Sequence, residues 1–250
     1  MRFRASPLAV SAMLLLSLVF PLGAQDLKII TEELPPAAYH DATGAARGWA
    51  IDIVTELERR VGEGAKIEFF PWARAYEMAK ETPGVLIFTM LRTKERENLF
   101  DWVGPISRAH VVLLGRADTA ARVHGLAEAR LLRVGTVNQD AKEAMARQLG
   151  FENLESATNI ETNYKKLAAR RIDAMIASSM FWEQQVKNLG LDAGQFAEIL
   201  PLSEDAISYL AFSKGTDAKI VAAWSRAFEE LRSDGTMARI YATWGLSRLP

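Results

Sequence analysis

The chain has no cysteine among its 250 residues and only three histidines, His40, His110 and His124. The first absence rules out disulfides, a thiol nucleophile and a lipid-bearing cysteine, so the fold must rest on its hydrophobic core. The second leaves little for metal or acid–base chemistry. There is no His-Glu-x-x-His, no calcium loop with its required glycine, and no histidine with a serine partner at a recognisable elbow. An excess of charge is missing too: 30 Lys and Arg stand against 31 Asp and Glu, and they alternate rather than forming the basic stripe that nucleic acid requires. Gly135 and Gly150 are too isolated for a phosphate-binding loop. No segment reaches the roughly 20 apolar residues of a membrane span.

What is present begins with a leader. Arg2 and Arg4 precede an apolar stretch from Leu8 to Phe20, and Pro21-Leu-Gly-Ala24 supplies small residues before Gln25. This is the pattern of a cleaved secretory signal over residues 1–24, so a periplasmic protein without a direct membrane anchor is expected. Removing 24 residues from 250 leaves 226, enough for two small domains, and a net charge of −3 from 28 basic and 31 acidic residues.

Hydrophobic periodicity predicts alternating elements. Leu27 to Thr31 reads as a strand, Glu32 to Arg47 as a polar loop, and Ile51, Val54, Leu57 and Val61 as one face of a helix. Lys66 to Phe70 is a second strand, Pro71 opens a helix with Trp72, Tyr76 and Ala79 on one face, and Val85 to Met90 is a third strand. The pattern restarts after Arg108 with strands at Val111 to Gly115 and within Leu131 to Val137. Helices at Asp140 to Leu149, Glu161 to Arg170 and Phe181 to Leu189 surround a strand at Ile172 to Ala177. A return strand at Ser208 to Ser213 precedes a helical tail from Asp217 to Trp244. Alternation of this kind predicts an α/β fold with a mostly parallel sheet.

Within Phe88-Thr-Met-Leu-Arg92-Thr-Lys-Glu-Arg96-Glu, the end of a strand carries two cations. Thr93 stands where an N-cap would start a short helix bearing Arg96, an arrangement suited to an anion. The alternative is a solvated surface on which Glu95, Glu97 and Asp101 neutralise both arginines.

The order of a signal, Leu27-Lys-Ile-Ile-Thr-Glu-Glu33-Leu-Pro-Pro, Gly48-Trp49-Ala-Ile-Asp52, Phe70-Pro-Trp72-Ala-Arg74-Ala-Tyr76, Arg92-Thr-Lys-Glu-Arg96, Phe100-Asp-Trp102-Val-Gly-Pro-Ile106 and Arg171-Ile-Asp173 resembles the family 3 solute-binding proteins of bacterial ABC importers. The resemblance implies a type II periplasmic-binding-protein clamp: two α/β lobes joined by two hinge strands, with a small polar, carboxylate-bearing ligand expected between them. Lobe 1 would comprise residues 25–109 and 213–250, and lobe 2 residues 110–212, with the hinges near His110 to Leu114 and Ser208 to Phe212. It implies a monomer that hands its ligand to a membrane ABC permease, with no cofactor, no metal and no catalysis. A dehydratase-like enzyme and a sensory accessory protein are the rival readings.

For the site, the resemblance places Arg96 on a ligand carboxylate with Arg92 beside it and Thr89 near the same group. Tyr39, Trp72 and Trp102 are the expected stacking aromatics. In lobe 2, Ser178 and Ser179 stand where amino-acid binders carry an acid for the α-amino group, and a hydroxyl does not neutralise an ammonium. Either Asp140, Glu33, Glu183 or Asp205 supplies the charge, or the ligand is not a simple α-amino acid. Ser178 and Asp140 also have a plain reading as helix caps, and each tryptophan as core.

Overall fold

The computed structural model describes residues 26–62 and 64–246, so the leader expected over 1–24 lies outside the described residues. The first half builds β1 (Lys28–Thr31), β2 (Tyr39–His40), β3 (Ala46–Arg47), α1 (Trp49–Val61), β4 (Ile67–Phe69), α2 (Trp72–Glu81), β5 (Val85–Leu91) and the long β6 (Phe100–Arg116). Short helices α3 (Ala117–Ala120) and α4 (Leu126–Ala129) lead to β7 (Val134–Val137), α5 (Ala141–Gln148), β8 (Leu154–Ala157), α6 (Ile160–Ala168), β9 (Ala174–Ser178) and α7 (Trp182–Asn188). The equally long β10 (Phe196–Ser213) returns the chain to α8 (Ala218–Ser233) and α9 (Thr236–Thr243).

Eight strands form one sheet in the order β4-β1-β5-β10-β6-β9-β7-β8. On one side β1 pairs in parallel with β4 and β5, and on the other β7 pairs in parallel with β8 and β9. Between these groups β6 and β10 form an antiparallel ribbon. The two parallel groups are the two lobes of a type II clamp, and the ribbon joins them.

Three apolar clusters support this arrangement. One packs α1, α8 and α9 on a lobe 1 face, with Trp49, Trp224 and Phe228 fully buried. The second runs from Trp72 and Phe100 to Tyr164 and Trp182, and the third gathers Val111, Val134 and Phe151 under α5. In α1, Ile51, Ile53, Val54 and Leu57 are buried, each contributing about 2 kcal/mol by leaving water. Val61, expected on that face, is only half-buried at the helix end.

Several expectations change. The strands read as Val111 to Gly115 and Ser208 to Ser213 are the ends of strands of 17 and 18 residues. Their middle parts are polar, with Arg108 and His110 exposed, so periodicity stopped where backbone pairing continues. The edge strand β8 was missed because Leu154-Glu-Ser-Ala157 is half-exposed and has no apolar run. Thr93 starts no helix. Arg96 N–H donates to the Thr93 carbonyl at 3.1 Å in an isolated turn, and a single 3-10 turn follows at Glu97–Leu99.

Gly48 sets the start of α1 against the loop after β1. Its φ is +134°, and an added Cβ would lie 2.1 Å from the Ala37 carbonyl oxygen. This approach lets Trp49 and Ala50 N–H donate to the Pro36 and Ala37 carbonyls at 3.2 and 3.0 Å. Gly48→Ala should therefore cost about 3 kcal/mol in urea unfolding. Gly62→Ala, at φ +84° with no atom within 4 Å, should cost only about 1 kcal/mol.

Candidate functional site

Where the lobes meet, the chain encloses a cavity of about 80 Å³. Lobe 1 lines it with Glu32 and Leu34 from the end of β1, Trp49 at the start of α1, and Thr89 near the end of β5. Ser107, His110 and Ser208 come from the ribbon, and Asp140, Lys142, Ser178, Phe181 and Gln185 from lobe 2. Glu32 and Leu34 follow a strand, Trp49 and Asp140 stand at helix starts and Ser178 ends a strand, the usual positions of ligand sites in α/β folds, while the ribbon supplies the floor between the lobes.

Backbone strain sits at this place. Thr89 has φ +61°, a costly conformation for a β-branched residue, on the order of 1 to 3 kcal/mol. Its hydroxyl donates to the Phe88 carbonyl at 2.6 Å. Gln139, also at φ +61°, turns its carbonyl across the cleft. Trp72 Nε1 donates to that oxygen at 3.1 Å and Arg96 Nη2 at 2.9 Å.

Arg96 is thus committed within the protein. It is only 5 % exposed, its Cζ lies 4.6 Å from the Tyr76 ring centre and 5.3 Å from that of Trp72, and Nη1 reaches the Leu91 carbonyl at 3.4 Å. It borders a wider groove of about 900 Å³ beside the cavity rather than the cavity itself. Arg92 turns outward instead, donating to Glu97 at 2.8 and 2.5 Å and lying over Trp102 and Tyr209. Trp102 Nε1 donates to the Glu97 carbonyl at 3.0 Å. Arg92 and Trp102 therefore belong to an outer cluster. The expected neutralisation by Glu97 holds for Arg92 and not for Arg96.

The remaining expected residues divide the same way. Asp140 caps α5, accepting from Lys142 N–H at 2.9 Å, and its carboxylate pairs with Lys142 Nζ at 2.6 Å. Ser178 caps nothing, because α7 starts at Trp182 after Phe181, and its buried Oγ has no partner. Glu33 contacts His40 through Nδ1 and the backbone N–H on the surface. Tyr39 packs edge-on against Trp244, 6.5 Å between ring centres. Among the expected residues, the cavity gathers Thr89, Asp140 and Ser178, with Trp72 and Arg96 behind its wall.

Three participants escaped sequence reasoning. Glu32 was passed over for its neighbour Glu33, although alternation from Ile30 would have marked Glu32 as facing inward. It is 8 % exposed, and its carboxyl group makes no hydrogen bond among the described residues. Trp49, 1 % exposed, stacks on Phe181 across the lobes at 6.0 Å and on Tyr241 at 6.1 Å, leaving Nε1 without a partner. Gln185 links lobes and core, donating to the Pro35 carbonyl at 2.7 Å and accepting from Tyr164 OH at 2.5 Å.

Electrostatics separate the two acids. Burial pushes the Glu32 carboxyl up to about 8, reinforced by the charge of Asp140 and opposed by Lys142. Burial also acts to raise Asp140, but the charge and hydrogen bonds of Lys142, with Arg96 behind, hold it below the ordinary carboxylate value. The folded state therefore binds the Glu32 proton more tightly than the unfolded chain does. Its stabilising effect is fully present below the unfolded value of about 4.5 and is lost as pH rises through about 8. Glu32→Gln should flatten this part of the stability profile and leave the variant more stable than the parent at pH 9, by on the order of 4 kcal/mol. Guanidinium unfolding at pH 5, 7 and 9 measures both effects, and parallel profiles for the two proteins would refute the assignment.

The same architecture occurs in solved structures. A histidine kinase sensor domain with similarity to periplasmic binding proteins superposes with a TM-score of 0.79 at 16% identity, over 88% of this chain and 96% of that one. The arginine-, lysine-, histidine-binding protein ArtJ of Geobacillus stearothermophilus gives 0.77 at 18%, over 90% and 96%. An ancestral amino-acid-binding protein, precursor of cyclohexadienyl dehydratase, gives 0.73 at 19%, over 87% and 94%. No curated protein sequence matches the chain. The model of the bacterial extracellular solute-binding proteins, family 3, matches residues 27–247. The chain belongs to that family.

Proposed function

We propose that this chain is a periplasmic solute-binding protein that holds a small polar ligand between its lobes and presents the closed form to a membrane ABC importer. The observation that carries this reading is the interlobe cavity, where Glu32, Trp49 Nε1 and Ser178 Oγ all lack hydrogen-bond partners among the described residues. Buried polar groups are normally satisfied, so two orphaned atoms beside an unbonded carboxyl mark a place where a polar solute completes the bonding. Family membership supports the extracellular setting, and no described helix is long and apolar enough to cross a membrane.

The lobes we take as 25–109 with 213–250 against 110–212. The pairing of β9 with Val111 to Gly115 supports the first boundary, while Ser208 to Phe212 pair with β5 and so stand on the lobe 1 side of the second hinge. Closure would make the contacts of Gln139 with Trp72 and Arg96, of Gln185 with Pro35, and of Trp49 with Phe181. Each is bistable in the sense of being formed or broken as a unit. Ligand bridging both lobes biases the equilibrium toward the formed state by its differential affinity.

X-ray scattering on protein stripped of solute, then saturated with a periplasmic small-molecule extract shown by calorimetry to bind, should give a smaller radius of gyration in the saturated form. An unchanged radius at saturation would refute closure. Arg96→Leu, which removes one interlobe bond, should leave the stripped protein folded while weakening binding by about 1 to 3 kcal/mol.

A further inference from the structure

Resting on the solute-binding reading above, we infer that Glu143 is a positioning residue for closure: it holds the turn after β7 so that the Gln139 carbonyl of lobe 2 meets Trp72 and Arg96 of lobe 1, and this turn sets how long the closed form lasts. The turn is closed by Asp140 N–H, which donates to the Val137 carbonyl at 3.1 Å, and Gln139 occupies its third position at φ +61°. A positive φ there is the requirement of a type II turn and is usually met by glycine. Glutamine has no such freedom, so the surrounding structure must enforce the conformation. The Gln139 side chain does not enforce it, because it is exposed and makes no hydrogen bond among the described residues. The backbone N–H and carbonyl of Gln139 carry its contacts.

Glu143, the third residue of α5 and only 7 % exposed, supplies the hold. One carboxylate oxygen accepts from Gln139 N–H at 3.0 Å, and the other accepts from the Ser156 hydroxyl of β8 and from Arg147 at 2.8 Å. An acid at this helix position ordinarily returns to the N–H of the capping residue. Here Asp140 N–H is taken by the turn, and Glu143 reaches one residue further back. The carboxylate is thereby fixed to β8 on one side and to the turn on the other. Arg147 is largely exposed and adds little.

A carbonyl oxygen has two lone pairs, and both are used across the cleft, by Trp72 Nε1 at 3.1 Å and Arg96 Nη2 at 2.9 Å. If the turn relaxed, both bonds would go together, and the buried guanidinium of Arg96 would keep the Leu91 carbonyl at 3.4 Å, a long contact, as its acceptor among the described residues. Burial without acceptors is costly for a charged group. By comparison, Gln185 gives the Pro35 carbonyl a neutral hydrogen bond at 2.7 Å, and Gln148 meets Glu95 at the surface at 3.4 Å. Charge-assisted bonds are roughly twice as strong as neutral ones, so the Gln139 turn is the contact whose loss most shortens the closed state. Because it forms between lobes, its effect falls on opening more than on capture of the solute.

The test records opening directly. The chain has no cysteine, so Thr55→Cys on α1 and Glu152→Cys before β8, both at exposed positions, carry a donor and an acceptor dye, one on each lobe. Single-molecule energy transfer on the stripped chain, saturated with a periplasmic small-molecule extract shown by calorimetry to bind, gives the dwell time of the compact state. Glu143→Ala should shorten that dwell about tenfold. Adding Gln139→Gly to Glu143→Ala should restore it to within about threefold of the parent, because glycine takes the turn conformation unaided. Gln139→Pro leaves Glu143 with Ser156 and Arg147 but forbids the positive φ, so it should shorten the dwell at least as much and serves if Glu143→Ala does not fold. Thermal unfolding verifies the fold of each variant. A role for Glu143 confined to the stability of lobe 2 gives no rescue by glycine. Loss of dwell without that rescue therefore overturns the inference, as does an unchanged dwell in Glu143→Ala or Gln139→Pro. Failure of the broader reading looks different: a parent chain that binds nothing from the extract, or binds without reaching a compact state, sinks the clamp and this inference together. A parent that closes while its variants keep the same dwell sinks this inference alone.

Discussion

The antiparallel ribbon of β6 and β10 is the constraint on which the other features depend. Pairing runs from Phe196 opposite Arg116 to Ser213 opposite Phe100, with shifts of register near Pro201, Ser203 and Ala206. Main-chain hydrogen bonds require no apolar side chains, so the ribbon crosses a polar cleft in which a packed core would dissolve. Each end then recruits one parallel group, β5 onto β10 and β9 onto β6. Because both lobes hang from one ribbon, the strand ends of each face the other. That juxtaposition brings Glu32 and Thr89 opposite Asp140 and Ser178.

Across this gap the structure satisfies its charges with its own atoms wherever it can. The Gln139 carbonyl takes donors from Trp72 and Arg96 together, and it is presented by a residue in a strained left-handed conformation. A buried arginine unsupported by acceptors would be expensive, and here carbonyls and aromatic faces supply the support instead of a carboxylate. The same holds for Asp140, with the dipole of α5 on one side and Lys142 on the other. Glu32 is the exception: its buried carboxyl makes no hydrogen bond among the described residues, and burial keeps it protonated into the neutral range.

Much of the fold was legible in the sequence. The apolar runs of β1 and β5 and the 3.6-residue face of α1 carry their own signal, because burial on one side leaves a period in the residue types. The cap at Asp140 follows from local backbone needs and was among the readings the sequence offered. β8 and the middle of the ribbon carried no such period, since one lies half-exposed at a sheet edge and the other crosses the cleft.

For the site, the sequence by itself determined part of the cast: two arginines after a strand, an acid at a helix start, serines after another strand, and Glu33 after the first. Only the tertiary structure decided which of them face the cavity. Arg92 and Arg96 are four residues apart, yet one pairs with Glu97 on the surface and the other is buried against Gln139 from 43 residues away. Glu32 and Glu33 are adjacent, yet the alternation of an extended chain sends one into the cavity and the other to His40. Local sequence sets backbone conformation, but a side chain's solvent, charge partners and dielectric are properties of whatever the fold places opposite it, and those neighbours come from distant parts of the chain.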